Sequence, residues 1–251
     1  MHHVQLWIDD RPHGGAENMA YDEALLEAAL DDELCCVRVY RWARPTVSLG
    51  YFQSFDQRLR DRFAGLPVVR RLSGGGALIH DREITYSLVI PPRHPFAAAP
   101  LRLYDAAHQA VVSVLRMRNV PARLRGAATS ENPFLCFGRG DPRDVLVHGH
   151  KVMGSAQRRR RGAVLQHGAL LLRRSVHAPQ FPGLLDLIGR TDPPLHEGLD
   201  AAIGWAIASR LGRPQAIHRG ELPADLHRRA ASLIGNYEAL DPTPTRHSRP
   251  F

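Results

Sequence analysis

The chain has 251 residues, of which 44% are hydrophobic and 23% are charged, a composition typical of a globular protein with one large core. No stretch approaches the roughly 20 apolar residues that a membrane-spanning helix needs, and the amino terminus lacks the pattern of a signal peptide, so we expect a cytoplasmic protein with no membrane partner. The formal net charge of +8 predicts acidic partners, but nucleic acid is disfavoured because no nucleic-acid-binding motif occurs and aromatic residues make up only 7% of the chain.

Helical and strand patterns alternate along the chain without an internal repeat. Apolar residues at helical spacing predict helices over residues 16–30, 55–63, 101–118, 199–211 and 223–233. Runs rich in β-branched and aromatic residues predict strands over residues 4–9, 36–40, 46–51, 68–72, 84–90, 145–147, 151–156 and 164–172. We expect the second and third strands to pair around the sequence RWARP, and the last strand to be interrupted near His167 and Gly168.

This order of elements predicts an α+β fold class with a mostly antiparallel sheet flanked by helices. The chain length suits a single core, so we assign residues 1–240 to one domain. Residues 241–251 are polar and contain proline, which predicts a flexible tail.

A run of three glycines, Gly74, Gly75 and Gly76, follows two arginines in the stretch RRLSGGGALIHD. Glycine runs mark special backbone geometry or close approach, and successive backbone amides can turn toward one anion. Arg70 and Arg71 could add charge-assisted hydrogen bonds. The stretch matches neither the Walker A nor the dinucleotide-binding pattern. A glycine-rich bend packed against a neighbouring strand is the alternative interpretation, and these residues alone leave both open.

Cys136 lies in a region, residues 126–144, that has no clear period and is rich in Gly, Pro, Asn and Asp. Irregular segments of this length are frequently functional. The three cysteines of the chain form neither a disulfide framework nor a CxxC pair, which favours a reducing compartment. Cys136 can therefore be read as a small buried hydrophobe or as a nucleophile.

Lys151 is the only lysine among 33 lysine and arginine residues. A thiolate needs nearby positive charge, and an amine, unlike a guanidinium, can lose its proton readily when it is desolvated. We therefore consider Lys151 as the group that activates Cys136. A solvated position in a hairpin is the alternative.

Several histidines and arginines allow simpler explanations. His148 and His150 are spaced for two ligands on one strand face, but no third ligand accompanies them, so we expect no metal site. Arg158–Arg161 predict a solvated, mobile turn, a docking patch for an acidic protein, or both. His80 and His167 suit buried, hydrogen-bonded core positions.

Four separated blocks occur in an order that resembles the biotin/lipoate protein ligase family. They are RWARPTVSLGYFQ, then RRLSGGGALIHDREITYSLVIP, a single CF in a loop, and GHKVMGSAQRRRRGAVLQHGALLL, with ENMAYDEALLEAA upstream as a further match. The resemblance covers residues 5–175 and is closest to the octanoyltransferases that use a cysteine. It implies a catalytic domain with the fold of biotin synthetases and class II aminoacyl-tRNA synthetases.

The same resemblance implies a site and a reaction. Cys136 and Lys151 would be catalytic, and the substrate-binding residues would be Arg71, Ser73, Gly74, Gly75, Gly76, His80, Gly154, Ser155, Ala156, Gln157 and His167. Cys136 would take an octanoyl group from octanoyl-acyl carrier protein as a thioester. A lysine of a lipoyl domain, such as the glycine-cleavage H protein or a 2-oxoacid dehydrogenase E2 subunit, would then receive it without any cofactor.

Two alternatives stay open. Octanoyltransferases of this family commonly carry a residue bulkier than Gly76, whereas GGG is also typical of lipoate ligases, which use ATP and magnesium to form lipoyl-adenylate. The sequence HDREITYS follows the transferase pattern more closely, and a ligase does not need Cys136. A non-catalytic carrier-binding protein is the third possibility, which the presence of both Cys136 and Lys151 disfavours.

Overall fold

Two β-sheets organise the computed structural model, which describes residues 2–189 and 194–238. The strands within these residues are β1 (His3–Ile8), β2 (Cys36–Tyr40), β3 (Thr46–Leu49), β4 (Val68–Arg70), β5 (Leu78–His80), β6 (Glu83–Ile90), β7 (Ala122–Leu124), β8 (Val145–Val147), β9 (His150–Arg160), β10 (Ala163–Leu171) and β11 (Arg213–Arg219). Eight of them form a large sheet in the order β11-β1-β2-β6-β10-β9-β8-β7, and β4-β3-β5 form a small one.

The large sheet is mixed. Strand β1 runs parallel to both β2 and β11, whereas every other neighbouring pair in this sheet is antiparallel within the described residues. The expected fold class, a mostly antiparallel sheet flanked by helices, is therefore confirmed.

Helices cover both faces of the large sheet. Their bounds are α1 (Gly15–Asp31), α2 (Gln57–Arg62), α3 (Pro100–Met117), α4 (Leu184–Ile188), α5 (Leu199–Leu211), α6 (Ala224–Leu233) and α7 (Gly235–Glu238). Alternate residues of a strand face opposite sides, so β1 sends Leu6 into a core with α3 and α5 but sends Trp7 into a second core with α1 and α6. A third apolar cluster lies under the small sheet. The five helices predicted from spacing are all present, with ends that differ by at most a few residues.

Two expectations about strands were wrong. Strand β2 does not pair with β3, because both edges of β2 are occupied by β1 and β6, and the chain carries β3 into the small sheet instead. Strand β10 is not interrupted, since His167 and Gly168 pair with β6 on one side and β9 on the other. A Cβ atom on Gly168 would overlap Ser155, so this glycine marks close approach of two strands rather than a break.

Five elements were not predicted, one of which is the four-residue helix α7. Strands β5 and β7 have three residues each, and α4 has five, lengths too short to show a period. Strand β11 is mostly exposed and polar, because it lies at the edge of the sheet beside β1. The predicted tail, residues 241–251, lies outside the described residues. In the described ranges, no helix has the length and apolar character that crossing a membrane requires.

Candidate active site

The irregular segment that holds Cys136 is attached to the small sheet. Leu135 forms a parallel bridge with Ala77, just before β5. Ala77 N donates to Phe134 O at 2.9 Å, and Cys136 N donates to Ala77 O at 2.7 Å. A single 3₁₀ turn, Cys136–Gly138, follows. These bonds place the cysteine directly beside the glycine loop between β4 and β5.

Lys151 meets Cys136 from the large sheet. It is the second residue of β9 and is buried, and its Nζ lies 3.9 Å from Cys136 Sγ. The ammonium also donates to Cys136 O at 3.1 Å and to Arg139 O at 3.2 Å. The two residues that the sequence singled out as a thiol and an amine therefore lie side by side.

An open pocket of about 510 Å³, including its mouth, begins at Cys136. Of the residues predicted to bind substrate, it is lined by Arg71, Gly75, His80, Gly154, Ser155, Ala156 and His167. Met19, Tyr40, Leu78 and Phe137 contribute apolar surface to the same wall. The pocket therefore combines an apolar lining with a few polar groups, as sites for small apolar ligands do.

Arg71 lies in the pocket wall, but its donors point into the protein. Its Nε donates to Ser73 Oγ at 3.2 Å, Nη1 donates to both oxygens of Ser48, and Nη2 donates to the carbonyls of Gly74 and Gly76 at 2.7 Å each. Burial lowers the pKa of Arg71 to about 10. The guanidinium thus holds the glycine loop in shape, which leaves none of its five N–H groups for a substrate anion in this arrangement.

The three glycines of the loop have different surroundings. Gly75 has a φ of +93° and lines the pocket, and a Cβ on Gly74 would meet nothing within 4 Å. A Cβ on Gly76 would lie 2.7 Å from Arg139 Nε and 3.0 Å from Cys136 Cα. Close packing, the alternative interpretation of this run, therefore applies to Gly76, whereas Gly75 faces the space that a ligand would occupy.

His167 joins two other side chains in a buried chain of hydrogen bonds. Its Nδ1 lies 2.7 Å from Asp22 Oδ2, and its Nε2 lies 2.5 Å from Ser73 Oγ. Because a carboxylate only accepts, Nδ1 carries a proton toward Asp22. The chain connects α1, β10 and the glycine loop, so His167 both lines the pocket and fixes one end of the loop.

His80 has a similar pair of partners. Its Nδ1 lies 2.5 Å from Glu83 Oε1, and its Nε2 lies 2.8 Å from Ser48 Oγ. The ring stacks on Trp42 with centroids 3.7 Å apart. Burial lowers the pKa of His80, although Glu83 opposes that effect. Both histidines are thus hydrogen-bonded core residues that also face the pocket.

The arginine run differs from the solvated, mobile turn that the sequence predicted. Arg158–Arg160 belong to β9 and pair with β10. Arg160 donates to Glu23 at 2.8 Å and Arg159 donates to the Ala97 carbonyl at 3.3 Å. Only Arg161 lies in the turn, with a φ of 46°. The prediction of a mobile turn was wrong because the strand continues four residues beyond Ala156.

Gln157, Ser73, Gly74 and Gly76 do not line the pocket. Gln157 Nε2 instead donates to Gln166 and to the Pro100 carbonyl. Elsewhere, the exposed His148 lies in the turn before β9. Within residues 2–189 and 194–238, no three His, Cys, Asp or Glu side chains are grouped as ligands for a metal ion.

Comparison of the chain with known proteins identifies its family. The family described as the lipoyl protein ligase A/B catalytic domain matches residues 15–185. The chain belongs to this family. Octanoyltransferase LipM of Carboxydothermus hydrogenoformans is 38% identical over 181 residues, which are 69% of this chain and 67% of that protein. Octanoyltransferase LipM of Kyrpidia tusciae is 32% identical over 257 residues, which are 89% of this chain and 92% of that protein.

Solved structures of the family share the fold at lower identity. A putative lipoate protein ligase from Thermoplasma acidophilum with bound lipoic acid has a TM-score of 0.72 and 22% identity, covering 94% of this chain and 96% of its own. A bi-partite lipoate protein ligase described with its E2 lipoyl domain, from the same organism, has a TM-score of 0.68 and 21% identity, covering 94% and 93%. At these identities the likeness shows the fold alone.

Sequence reasoning missed Asp144, the buried partner of Lys151. Its Oδ1 lies 3.0 Å from Lys151 Nζ, and its Oδ2 accepts from Asp141 N at 2.8 Å. Burial raises the pKa of Asp144, although the Lys151 cation opposes that effect. The available signal was the hairpin itself, since Asp144 precedes β8 and Lys151 opens its antiparallel partner β9.

A second missed group lies behind the pocket. His108 Nε2 lies 2.6 Å from Ser155 Oγ, and its Nδ1 lies 2.5 Å from the Arg143 carbonyl. Burial lowers the pKa of His108 to about 4, so the ring is neutral at pH 7. Tyr86 OH lies 2.8 Å from the same Ser155 hydroxyl. Together these contacts fix a strand residue of the pocket wall, and no sequence motif marks them.

Proposed function

We propose that the protein transfers an octanoyl group from octanoyl-acyl carrier protein to a lysine of a lipoyl domain through a thioester on Cys136. The observation that carries this proposal is the 3.9 Å separation of Cys136 Sγ and Lys151 Nζ, together with the position of Cys136 in the wall of a pocket with an apolar lining. The names of the relatives support the octanoyl group and the transferase reaction.

In the first half-reaction, Cys136 Sγ attacks the carbonyl carbon of the donor thioester. A bond forms between that carbon and Sγ, the bond between the carbon and the donor sulfur breaks, and the donor leaves as a thiol with the proton that Cys136 released. Lys151 Nζ is within reach to take this proton as the neutral amine and then, as the ammonium, to give it to the departing donor sulfur. One thioester replaces another, so the step requires no nucleotide.

In the second half-reaction, the amine nitrogen of the lipoyl-domain lysine attacks the same carbonyl carbon. A carbon–nitrogen bond forms, the bond to Sγ breaks, and the proton lost by the amine returns to the Cys136 sulfur. An amide is more stable than a thioester, which drives this step forward. Covalent catalysis thereby divides one difficult transfer into two easier ones.

Asp144 holds Lys151 in position for both steps. Its side chain is 1% exposed and lies 3.0 Å from Lys151 Nζ, so the ion pair is almost dry. A Cβ on Gly154 would lie 2.8 Å from Lys151 Cε, which shows that the lysine stem passes directly under the pocket wall. The amine is therefore confined between a carboxylate, the strand and the thiol.

Both proposed partners are protein domains that carry their reactive group on an arm. The first-named relatives act as octanoyltransferases, and a structural neighbour is described together with an E2 lipoyl domain. We take the glycine-cleavage H protein and 2-oxoacid dehydrogenase E2 subunits as the recipients to be tested. The net charge of +8 would favour encounter with acidic domains.

An ATP-dependent lipoate ligase is the second candidate, because the GGG sequence is also typical of ligases. In this chain Gly76 has a local explanation, since any side chain there would meet Arg139 and the Cys136 backbone. The third glycine therefore fits a cysteine-dependent enzyme as well as a ligase. A protein that binds carriers without chemistry would need neither the thiol nor the buried amine.

Intact-protein mass spectrometry after mixing with octanoyl-acyl carrier protein separates the three candidates. The transferase gains one octanoyl mass without nucleotide, Cys136→Ala does not, and a lipoyl domain added later removes the adduct and becomes octanoylated. Octanoylation of the lipoyl domain that needs free octanoate or lipoate and ATP would identify a ligase. Neither an adduct nor transfer under both conditions would leave the carrier-binding protein.

A further inference from the structure

The cations nearest to the Cys136 thiol have already used their hydrogen-bond donors. The Lys151 ammonium has three N–H groups but four acceptors within reach, which are the carbonyls of Cys136 and Arg139, the Asp144 carboxylate and the Cys136 sulfur. The five N–H groups of Arg71 all point at the glycine loop and at Ser48. Neither cation therefore has an N–H group that is free to bind a polar atom of an incoming acyl donor.

Arg139 is the exception. Its Nε donates to the Pro133 carbonyl at 2.7 Å, but neither Nη nitrogen has a protein acceptor, and no carboxylate pairs with it, among residues 2–189 and 194–238. The side chain is half-buried. A guanidinium that is anchored through Nε alone keeps four N–H groups for a ligand.

The position of this guanidinium is set by Gly76. The place that a Cβ on Gly76 would occupy lies 2.7 Å from Arg139 Nε and 3.0 Å from Cys136 Cα, so the guanidinium rests on the glycine backbone next to the cysteine. Arg139 does not line the acyl pocket, whereas Cys136 does. The guanidinium is therefore next to the cysteine without being part of the wall that would hold the acyl chain, and the thiol part of an acyl donor is the part left outside that wall.

We propose that Arg139 binds the thiol arm of the acyl donor by donating from Nη1 and Nη2 to the first amide carbonyl of a pantetheine chain. The inference rests on the proposed function, because it assumes that Cys136 accepts an acyl group from a thioester. In a pantetheine thioester this amide carbon lies about four bonds from the sulfur, whereas the phosphodiester lies more than about ten bonds away. The amide carbonyl is therefore the first polar group of the arm that a guanidinium beside the Cys136 backbone meets.

This assignment also accounts for the third glycine of the loop. A side chain at position 76 would displace the guanidinium or the Cys136 backbone, so Gly76 and Arg139 form a matched pair. Glycine at position 76 leaves room for the Arg139 guanidinium. In this proposal the guanidinium is needed because it binds the acyl donor. Neither residue then needs to contact the octanoyl chain.

Single-turnover acylation of Cys136, followed by intact mass, tests the proposal with donors that differ in the arm. We compare the wild type with Arg139→Met on octanoyl-coenzyme A, octanoyl-acyl carrier protein and S-ethyl thiooctanoate, which has no amide. Loss of a charge-assisted hydrogen bond predicts acylation about tenfold or more slower with the two pantetheine donors. The S-ethyl thioester should react at the wild-type rate. Equal slowing with all three donors would overturn the proposal, because a transition-state role or a purely structural role of Arg139 produces that result. No slowing with any donor would overturn it as well.

Controls separate this role from damage to the cysteine segment. Arg123→Met removes an exposed arginine and should leave all three rates unchanged. Alkylation of Cys136 by iodoacetamide and the thermal midpoint should be the same in Arg139→Met as in the wild type. If Arg139→Met does not fold, Arg139→Lys provides the comparison, because a single ammonium cannot reproduce the fork of the guanidinium and should give the same selectivity for donors without an amide.

The design distinguishes failure of this inference from failure of the proposed function. If the wild type accepts octanoyl groups but Arg139→Met loses equally on every donor, only the role of Arg139 is wrong. If the wild type accepts no acyl group from any donor, both are wrong. Release of a preformed octanoyl group to a lipoyl domain does not involve the pantetheine arm, so Arg139→Met should not change its rate.

Discussion

Cys136 and Lys151 reach the same point from two different kinds of structure. Lys151 lies in β9, which pairs with β8 and β10 in the large sheet, and its charge is held by a buried carboxylate. Cys136 lies in a segment whose only regular structure within the described residues is one 3₁₀ turn. The amine is therefore fixed by the sheet, while the position of the thiol depends on a few loop contacts.

This difference suits an enzyme in which two large partners use one sulfur in turn. In the proposed reaction Lys151 would carry the proton in both half-reactions, so a rigid strand is the appropriate place for it. In the same proposal Cys136 would accept a carrier-bound thioester and later present the acyl group to another protein, which a loop can accommodate. Loss of the Lys151 amine on the sheet side should thus affect chemistry directly, whereas substitutions that disturb the packing of the glycine loop should affect the position of Cys136.

Replacing the amine on the sheet side should have the largest effect. Lys151→Arg keeps a positive charge, but arginine cannot release a proton in a protein, so we expect octanoyl transfer to fall by about 10²–10⁴-fold. Steady-state transfer to a lipoyl domain measures the rate, and an unchanged unfolding transition shows that the fold is intact. Transfer at the wild-type rate would remove Lys151 from the mechanism.

His108, which is buried behind the pocket wall, should make the free energy of unfolding depend on pH. Its pKa is lowered from 6.5 to about 4 by burial, so between these values the unfolded chain binds a proton that the folded protein does not. The free energy of unfolding is therefore highest above pH 6.5 and decreases by up to about 3 kcal/mol as the pH falls toward 4. Urea unfolding at pH 7 and pH 4.5 should show a smaller drop for His108→Gln than for the wild type. Identical pH dependence in both proteins would contradict the assignment.

On the loop side, two glycines that differ in the space around them allow a matched comparison of substitutions by alanine. A Cβ on Gly50 would overlap the Gly75 carbonyl, whereas a Cβ on Gly74 would meet nothing within 4 Å. We expect Gly50→Ala to lower the free energy of unfolding by about 1–3 kcal/mol, because backbone must move, and Gly74→Ala to change it by less than about 0.5 kcal/mol. Chemical denaturation of the two variants checks this. Equal losses would mean that the loop does not pack on Gly50 as described.

The sequence predicted the sheet side better than the loop side. The helices and the strand that begins near Lys151 follow from periodicity, which reports the burial of each face. The contact of Asp144 with Lys151 was signalled only by the β8–β9 hairpin. The contact of Arg139 with Gly76 depends on how distant segments dock, and no local pattern carries that information. The same limit explains the error in strand pairing, since a run of strand-forming residues does not specify which neighbour it joins. Residue chemistry suggested that the thiol and the amine act together, because Lys151 is the only lysine of the chain. The family resemblance then joined the separate blocks in which the two residues lie.

The smallest predicted effect concerns the end of β9 that lies farthest along the strand from Lys151. Arg160 pairs with the nearly buried Glu23 at 2.8 Å, whereas the next residue, Arg161, is exposed in the turn. Arg160→Met removes a partner of a buried carboxylate and should cost about 1 kcal/mol or more, while Arg161→Met should stay within about 0.5 kcal/mol. Denaturant unfolding at low salt resolves the two. A loss at Arg161 as large as that at Arg160 would mean that the strand end is held by the turn, not by its ion pair with α1.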